Sequence, residues 1–95
     1  MVIESLVVDD EPLARDLLAG YVEQTPFLHL VGASSSAVEA LSILQQEKID
    51  LVFLDIQMPQ LNGLELSRMI GDRTRVVFTT AFEQYALEGF RVDAL

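Results

Sequence analysis

The sequence contains no cysteine and a single histidine, His29, among its 95 residues. Without cysteine, the chain has no disulfide, thiolate zinc site, iron–sulfur cluster or cysteine nucleophile, and one histidine excludes a metal site built from several imidazoles. Its apolar runs are far shorter than a membrane span. Acidic residues at 4 and 9–11 interrupt the N-terminus where a signal peptide would be apolar. These absences predict a soluble, cytoplasmic protein with no membrane contact.

Basic residues are also scarce. Six Lys and Arg residues stand against 15 Asp and Glu residues, which gives a formal net charge of −9. This charge repels phosphate backbones, so the chain by itself is not expected to bind nucleic acid. Hydrophobic residues make up 51% of the sequence, enough for a packed core, and the length predicts one domain over residues 1–95.

Four short β-rich segments alternate with four segments of helical spacing. The β-rich segments predict strands at 2–8, 28–32, 51–54 and 76–80. The helices are predicted to begin at Pro12, after a serine at 34–36, at Leu64 and at Glu83, with Gly71 ending the third. This βαβαβαβα order predicts an α/β fold with a doubly wound parallel sheet that carries helices on both faces.

Carboxyl and hydroxyl groups stand where three of the four predicted strands end. Asp9 and Asp10 follow the first strand, Asp55 follows the third, and Thr79 and Thr80 end the fourth. Functional sites of such sheets lie at the carboxyl ends of the strands, so we expect the three aspartates to converge. Two unit charges about 4 Å apart repel by roughly 4 kcal/mol at an effective dielectric constant of 20. With no Lys or Arg near these strand ends in the sequence, a hard cation such as Mg²⁺ is favoured.

A simpler interpretation gives the same residues local structural roles. Asp9 and Asp10 would then cap the first helix, and Asp55 would open a turn. His29, in the second predicted strand, is expected to be a half-buried strand residue and not a catalyst.

Three segments resemble motifs of response-regulator receiver domains. Val7-Val8-Asp9-Asp10-Glu11-Pro12 resembles the first acidic motif, and residues 55–63 resemble the phosphoacceptor motif, an Asp followed by Met-Pro and then Gly. Thr79-Thr80-Ala81 resembles the fourth-strand motif. The motifs occur in the family's order, and the resemblance covers the whole chain. It implies a flavodoxin-like receiver fold with strand order 2-1-3-4 for the strands present.

The resemblance implies a metal-dependent phosphoacceptor. Asp55 resembles the aspartate that accepts a phosphoryl group from a sensor histidine kinase. Asp10 and Asp55 resemble side-chain ligands of Mg²⁺, Gln57 the residue that offers its backbone carbonyl, and Asp9 the acid that reaches the metal through water.

The resemblance also implies a switch at the end of the fourth strand. Thr80 resembles the hydroxyl that turns towards the phosphoryl group, and Ala81 the small residue that leaves room for it. The motion of the hydroxyl would reposition the fourth helix. The implied protein is a signalling phosphoacceptor and not an enzyme, apart from its own phosphorylation and slow dephosphorylation.

The family pattern continues beyond the residues of this chain. Receivers carry a lysine at the end of a fifth strand, whereas the single lysine here, Lys48, precedes the third strand. We therefore expect a receiver truncated before the fifth strand and helix. The first helix would keep an exposed apolar stripe, and the chain would dimerise or exchange elements with a second copy.

Residues 78–90 resemble receivers joined to LytTR-type DNA-binding domains. This implies a transcriptional regulator that contacts DNA only through an effector domain absent from this chain. Two alternatives stay open. The chain could be a receiver that acts without phosphorylation as a dimerisation or docking module. It could also be a Mg²⁺-dependent phosphohydrolase with an Asp nucleophile, although such enzymes typically need a second acid where Gln57 stands.

Overall fold

A computed structural model describes residues 2–55, 63–71 and 74–79. Seven elements occur in the predicted alternating order: β1 (Ile3–Val8), α1 (Pro12–Gln24), β2 (Leu28–Ser34), α2 (Ala37–Gln46), β3 (Leu51–Leu54), α3 (Gly63–Ile70) and β4 (Arg75–Phe78). β2 is two residues longer than predicted, and β4 begins and ends earlier than predicted. The predicted fourth helix, from Glu83 to about Val92, lies outside the described residues.

The four strands form one parallel sheet in the order β2-β1-β3-β4. The fold class and the strand order 2-1-3-4 are therefore confirmed. The two inner strands, β1 and β3, contain most of the buried strand residues, as expected where both faces of a sheet are covered. Their carboxyl ends lie side by side, since Val8 of β1 pairs with Leu54 of β3, which pairs with Phe78 of β4.

One hydrophobic core joins the sheet to α2 and α3. Leu6 and Val8 of β1, together with Val52 and Leu54 of β3, are fully buried. They pack with the remaining buried members of this core, Ala37, Ala40, Ile49, Leu66 and Val76. Burying these side chains fixes the register of the inner strands, because a shift by one residue would turn them to the opposite face.

The helix ends follow the capping signals of the sequence. Ser36 caps α2, and its hydroxyl accepts a hydrogen bond from the Glu39 backbone N–H at 3.1 Å. Gly71 follows α3 with φ of 83°, in the left-handed region that favours glycine. For α1 the N-cap is Glu11, whose carboxylate accepts from the Leu13 N–H at 3.2 Å. The interpretation that Asp9 and Asp10 cap this helix is therefore wrong.

The apolar stripe of α1 divides into an inner and an outer part. Val22 is buried against the sheet, while Leu13, Leu17 and Tyr21 are 79%, 58% and 58% exposed. These three residues follow one another at a spacing of four and form one face of the helix. We call them the α1 stripe. Its exposure agrees with the expectation from the sequence.

The amino edge of the sheet is held by reciprocal bonds between Glu4 and Asp50. The Glu4 N–H donates to Asp50 Oδ2 at 3.0 Å, and the Asp50 N–H donates to the Glu4 carbonyl at 2.8 Å. The Asp50 carbonyl accepts from the Arg75 N–H at 2.9 Å, so the contact links β1, β3 and β4. The exposed Lys48 also precedes β3 at this edge, as the sequence indicated.

His29 also lies towards this edge, where β2 pairs it with Glu4. Its Nδ1 is 2.8 Å from Glu4 Oε2, and its side chain is 62% exposed. The expectation of a half-buried residue is wrong because β2 is an outer strand of the sheet, where side chains reach water. Within the described residues, no helix combines the length and apolar character needed to cross a membrane.

Candidate functional site

Asp9, Asp10 and Asp55 converge at the carboxyl edge of the sheet, as predicted. Each carboxylate offers one oxygen, and these three oxygens all lie within 4.8 Å of one another. We call this group the carboxylate cluster. Asp9 is buried, Asp55 is half-buried and Asp10 is exposed, so the cluster opens to solvent on one side.

Backbone hydrogen bonds fix the residues that follow the strands. The Asp9 N–H donates to the Ser34 carbonyl at 3.1 Å, and the Asp55 N–H donates to the Val8 carbonyl at 3.0 Å. These bonds continue the ladder one residue past each strand. The backbones of both aspartates are therefore placed by the sheet itself, before any ligand binds.

Thr79 directly follows β4, as Asp9 follows β1 and Asp55 follows β3. Its N–H donates to the Leu54 carbonyl at 2.9 Å, which brings Thr79 into register with Asp55. Within the described part of the chain, its Oγ1 is buried and has no hydrogen-bond partner. A buried hydroxyl without a partner is uncommon in folded proteins.

Arg15 brings a positive charge to the cluster that the sequence analysis missed. Its Nη1 donates to the Asp9 backbone carbonyl at 3.1 Å, in a partly buried position. No Lys or Arg is near the first strand end in the sequence, but the fold brings Arg15 of α1 into contact with it. The available signal was the position of Arg15 in the first turn of α1, because helical side chains lean towards the N-terminus of their helix.

The loop after β1 orients Asp9. Its Oδ1 accepts a hydrogen bond from the Glu11 N–H at 2.9 Å, while its carbonyl accepts from Arg15. One carboxylate oxygen is thus engaged with the backbone, which limits how freely the side chain can turn towards a ligand.

The donor chemistry of the cluster suits a hard divalent cation. Mg²⁺ takes oxygen ligands and is typically held by one or two carboxylates with water and phosphate oxygens. Among the described residues, this is the one group of three or more acidic or imidazole side chains close enough to share an ion. Three carboxylates in this space repel one another, and a divalent cation would offset that repulsion.

Three predicted site residues lie outside the described residues: Gln57, Thr80 and Ala81. Their roles as backbone ligand, switch hydroxyl and phosphate-access residue therefore stay predictions. The structure brings together Asp9, Asp10 and Asp55, and it adds Arg15 and Thr79 around them.

Comparisons with known proteins agree with this arrangement. The model of the response regulator receiver domain family matches residues 5–95. Transcriptional regulatory protein BtsR of Escherichia coli (strain K12) is 42% identical over 94 residues, which are 97% of this chain and 39% of BtsR. Sensory transduction protein LytT of Bacillus cereus is 43% identical over 96 residues, which cover 98% of this chain and 39% of LytT. The chain thus spans less than half the length of these relatives.

A solved structure shows the same fold. The response regulator domain of Thermotoga maritima CheB matches 100% of this chain and 75% of its own, with a TM-score of 0.85 and 32% identity. The strand order, the three carboxylates at the carboxyl edge and the match over residues 5–95 all lead to one assignment. The chain belongs to the response regulator receiver domain family.

Proposed function

We propose that this chain is the phosphoacceptor domain of a two-component response regulator, and that Asp55 accepts a phosphoryl group from a sensor histidine kinase. The observation that carries the proposal is the carboxylate cluster, whose three oxygens lie within 4.8 Å at the carboxyl edge of a receiver fold. Phosphoryl transfer depends mainly on positioning and on neutralising charge, and both can be supplied at this edge.

Asp10 and Asp55 would hold Mg²⁺ directly, with the Gln57 backbone carbonyl as a third protein ligand and Asp9 acting through water. The exposure of Asp10 supports a direct contact, and the bond from the Glu11 N–H to Asp9 supports an indirect role for that carboxylate. When bound, the cation reduces the repulsion between the Asp55 carboxylate and an incoming phosphoryl group.

The protein's own residues position the nucleophile. The bond from the Asp55 N–H to the Val8 carbonyl holds the backbone of the acceptor. Leu54, the residue before Asp55, is fully buried and anchors the chain there. Thr80 would act as the switch hydroxyl and Ala81 would leave room for the phosphoryl group. The domain would act on no other substrate, and its chemistry would be limited to its own phosphorylation and slow dephosphorylation.

The output would be a DNA-binding domain of the LytTR type in a longer cytoplasmic protein. Two relatives bear the names transcriptional regulatory protein and sensory transduction protein, and this chain covers 39% of each. The net charge of −9 supports a separate DNA-binding part, because the receiver itself would repel a phosphate backbone.

The test is the intact mass of the 95-residue chain after incubation with acetyl phosphate, with and without Mg²⁺. We expect a gain of one phosphoryl group that requires Mg²⁺ and is lost in Asp55→Asn. Asp16→Asn is a matched control, because Asp16 is an exposed aspartate of α1 outside the carboxylate cluster. Uptake that persists in Asp55→Asn, or no uptake by the wild type, would contradict the proposal.

A second candidate function is a receiver that docks or dimerises without phosphorylation. The exposed α1 stripe favours it, since three large apolar side chains on one helix face form an adhesive surface. Absence of both Mg²⁺ binding and phosphoryl uptake, together with self-association, would support this function over the first.

A further inference from the structure

Arg15 is bonded directly to a residue of the carboxylate cluster. It lies in the first turn of α1, and its Nη1 donates to the Asp9 carbonyl at 3.1 Å. Asp9 is itself 4% exposed and contributes an oxygen to the cluster. A guanidinium group is therefore held at the backbone of a residue whose carboxylate belongs to the cluster.

A purely structural tether does not require the charge of this side chain. The contact joins the first turn of α1 to the end of β1, and any N–H donor of suitable length could make it. An arginine has five N–H donors and remains charged at all physiological pH values. Because a carbonyl is neutral, the bond to Asp9 does not itself neutralise the positive charge of Arg15.

The other basic residues that the structure describes lie elsewhere. Lys48 precedes β3 and Arg75 begins β4, so both belong to the amino edge of the sheet. Arg68 is in the last turn of α3, a helix that runs from the carboxyl edge towards the amino edge. Among the described cations, Arg15 is thus the one hydrogen-bonded to the cluster.

We propose that Arg15 is a positioning residue of the carboxylate cluster, whose charge draws an anionic phosphoryl donor towards Asp55 and weakens the binding of Mg²⁺. The inference rests on the proposed function of Asp55. The same charge acts with opposite sign on the two ligands, because it attracts an anion and repels a cation. The effect on the donor matters in a chain with a net charge of −9, which otherwise repels such an anion.

Two substitutions separate the charge from the tether. Arg15→Gln removes the charge and keeps an N–H donor on a shorter side chain, whereas Arg15→Lys keeps both a donor and the charge. For Arg15→Gln we expect Mg²⁺ to bind about 3- to 10-fold more tightly and phosphoryl uptake to slow by a similar factor. For Arg15→Lys we expect both quantities to stay within about 2-fold of the wild type.

The experiment combines two measurements on the 95-residue chain and both variants. Titration calorimetry gives the Mg²⁺ dissociation constant, and intact mass gives the uptake rate from acetyl phosphate at low and high salt. Raising the salt concentration from about 0.05 M to about 0.5 M should reduce the difference between Arg15→Gln and the wild type, because salt screens the attraction between a partly exposed charge and a donor in solution. Circular dichroism during thermal unfolding establishes that each variant is folded.

The outcomes decide whether the charge of Arg15 acts on the cluster or whether Arg15 only ties α1 to the end of β1. Opposite changes in Mg²⁺ affinity and uptake for Arg15→Gln, with Arg15→Lys close to the wild type, support the proposal. A folded Arg15→Gln variant that matches the wild type in both measurements overturns it. If the wild type takes up no phosphoryl group, the proposed function fails, and the Mg²⁺ affinities alone then decide whether Arg15 acts on the cluster.

Discussion

At the scale of single residues, two threonines with buried hydroxyl groups differ in one hydrogen bond. Thr74 Oγ1 donates to the Ile49 carbonyl at 2.7 Å, whereas Thr79 Oγ1 is buried without a partner in the described structure. The free energy of a buried hydroxyl depends on such a partner, because folding removes the hydroxyl from water. The two positions therefore form a matched pair.

Replacing each threonine by valine should have opposite effects. Thr79→Val keeps the shape and removes an unsatisfied hydroxyl, so the free energy of unfolding should stay unchanged or rise by up to about 1 kcal/mol. Thr74→Val leaves the Ile49 carbonyl without its donor, and we expect a loss of about 1–2 kcal/mol. Urea unfolding of the ligand-free chain measures both. A clear loss of stability in Thr79→Val would show that the hydroxyl has a partner in solution.

The residue scale also marks where sequence reasoning failed. The convergence of Asp9, Asp10 and Asp55 was predictable, because residues after parallel strands meet at one edge. The hydrogen bond from Arg15 to the Asp9 carbonyl was not predictable, since it depends on the rotamer of a long side chain. The exposure of His29 depends on its place in an outer strand, which the order of segments alone does not reveal.

At the scale of elements, α1 contains a glycine that its packing does not require. A Cβ built on Gly20 would meet no atom within 4 Å outside its own helix. Gly71, by contrast, has φ of 83°, where a side chain would be strained. None of the described neighbouring elements therefore packs closely against α1 at Gly20.

Gly20→Ala should stabilise the domain. Alanine restricts the unfolded chain and favours the helix, and we expect a gain of about 0.5–1 kcal/mol in the free energy of unfolding. Gly71→Ala is the matched control and should lose about 1 kcal/mol because of its positive φ. Urea unfolding tests both, and a Gly20→Ala variant less stable than the wild type would refute the expectation.

Most elements could be predicted from the sequence because their signals are local. A serine among residues 34–36 indicated the start of α2, which the structure places after Ser36, and Gly71 indicated the end of α3. The alternating pattern predicted a parallel α/β sheet, whereas the order 2-1-3-4 came from the family resemblance. Strand pairing is not encoded by local periodicity, so the pattern alone left the order open.

At the scale of the whole molecule, the α1 stripe is the largest exposed apolar feature on one described element. The chain that carries this stripe is strongly acidic, with a net charge of −9. Association through the stripe would bury Leu13, Leu17 and Tyr21, at the cost of bringing two negatively charged chains together. The balance should therefore depend on ionic strength.

We expect the 95-residue chain to self-associate at micromolar concentrations, and more strongly at about 0.5 M salt than at about 0.05 M. Leu17→Gln should shift the chain towards monomer with little change in stability, because this side chain is 58% exposed. Val38→Gln, on α2 and 63% exposed, serves as the control and should leave association unchanged. Sedimentation velocity reports the mass, and a monomer at all concentrations would contradict the expectation.

The two edges of the sheet are built on different principles. At the amino edge, the paired bonds between Glu4 and Asp50 tie the chain together by short neutral and charge-assisted contacts. At the carboxyl edge, like charges are gathered within 4.8 Å. Backbone hydrogen bonds nevertheless hold the strands in register at both edges. A change of charge at the carboxyl edge therefore acts on side chains whose backbones stay in place.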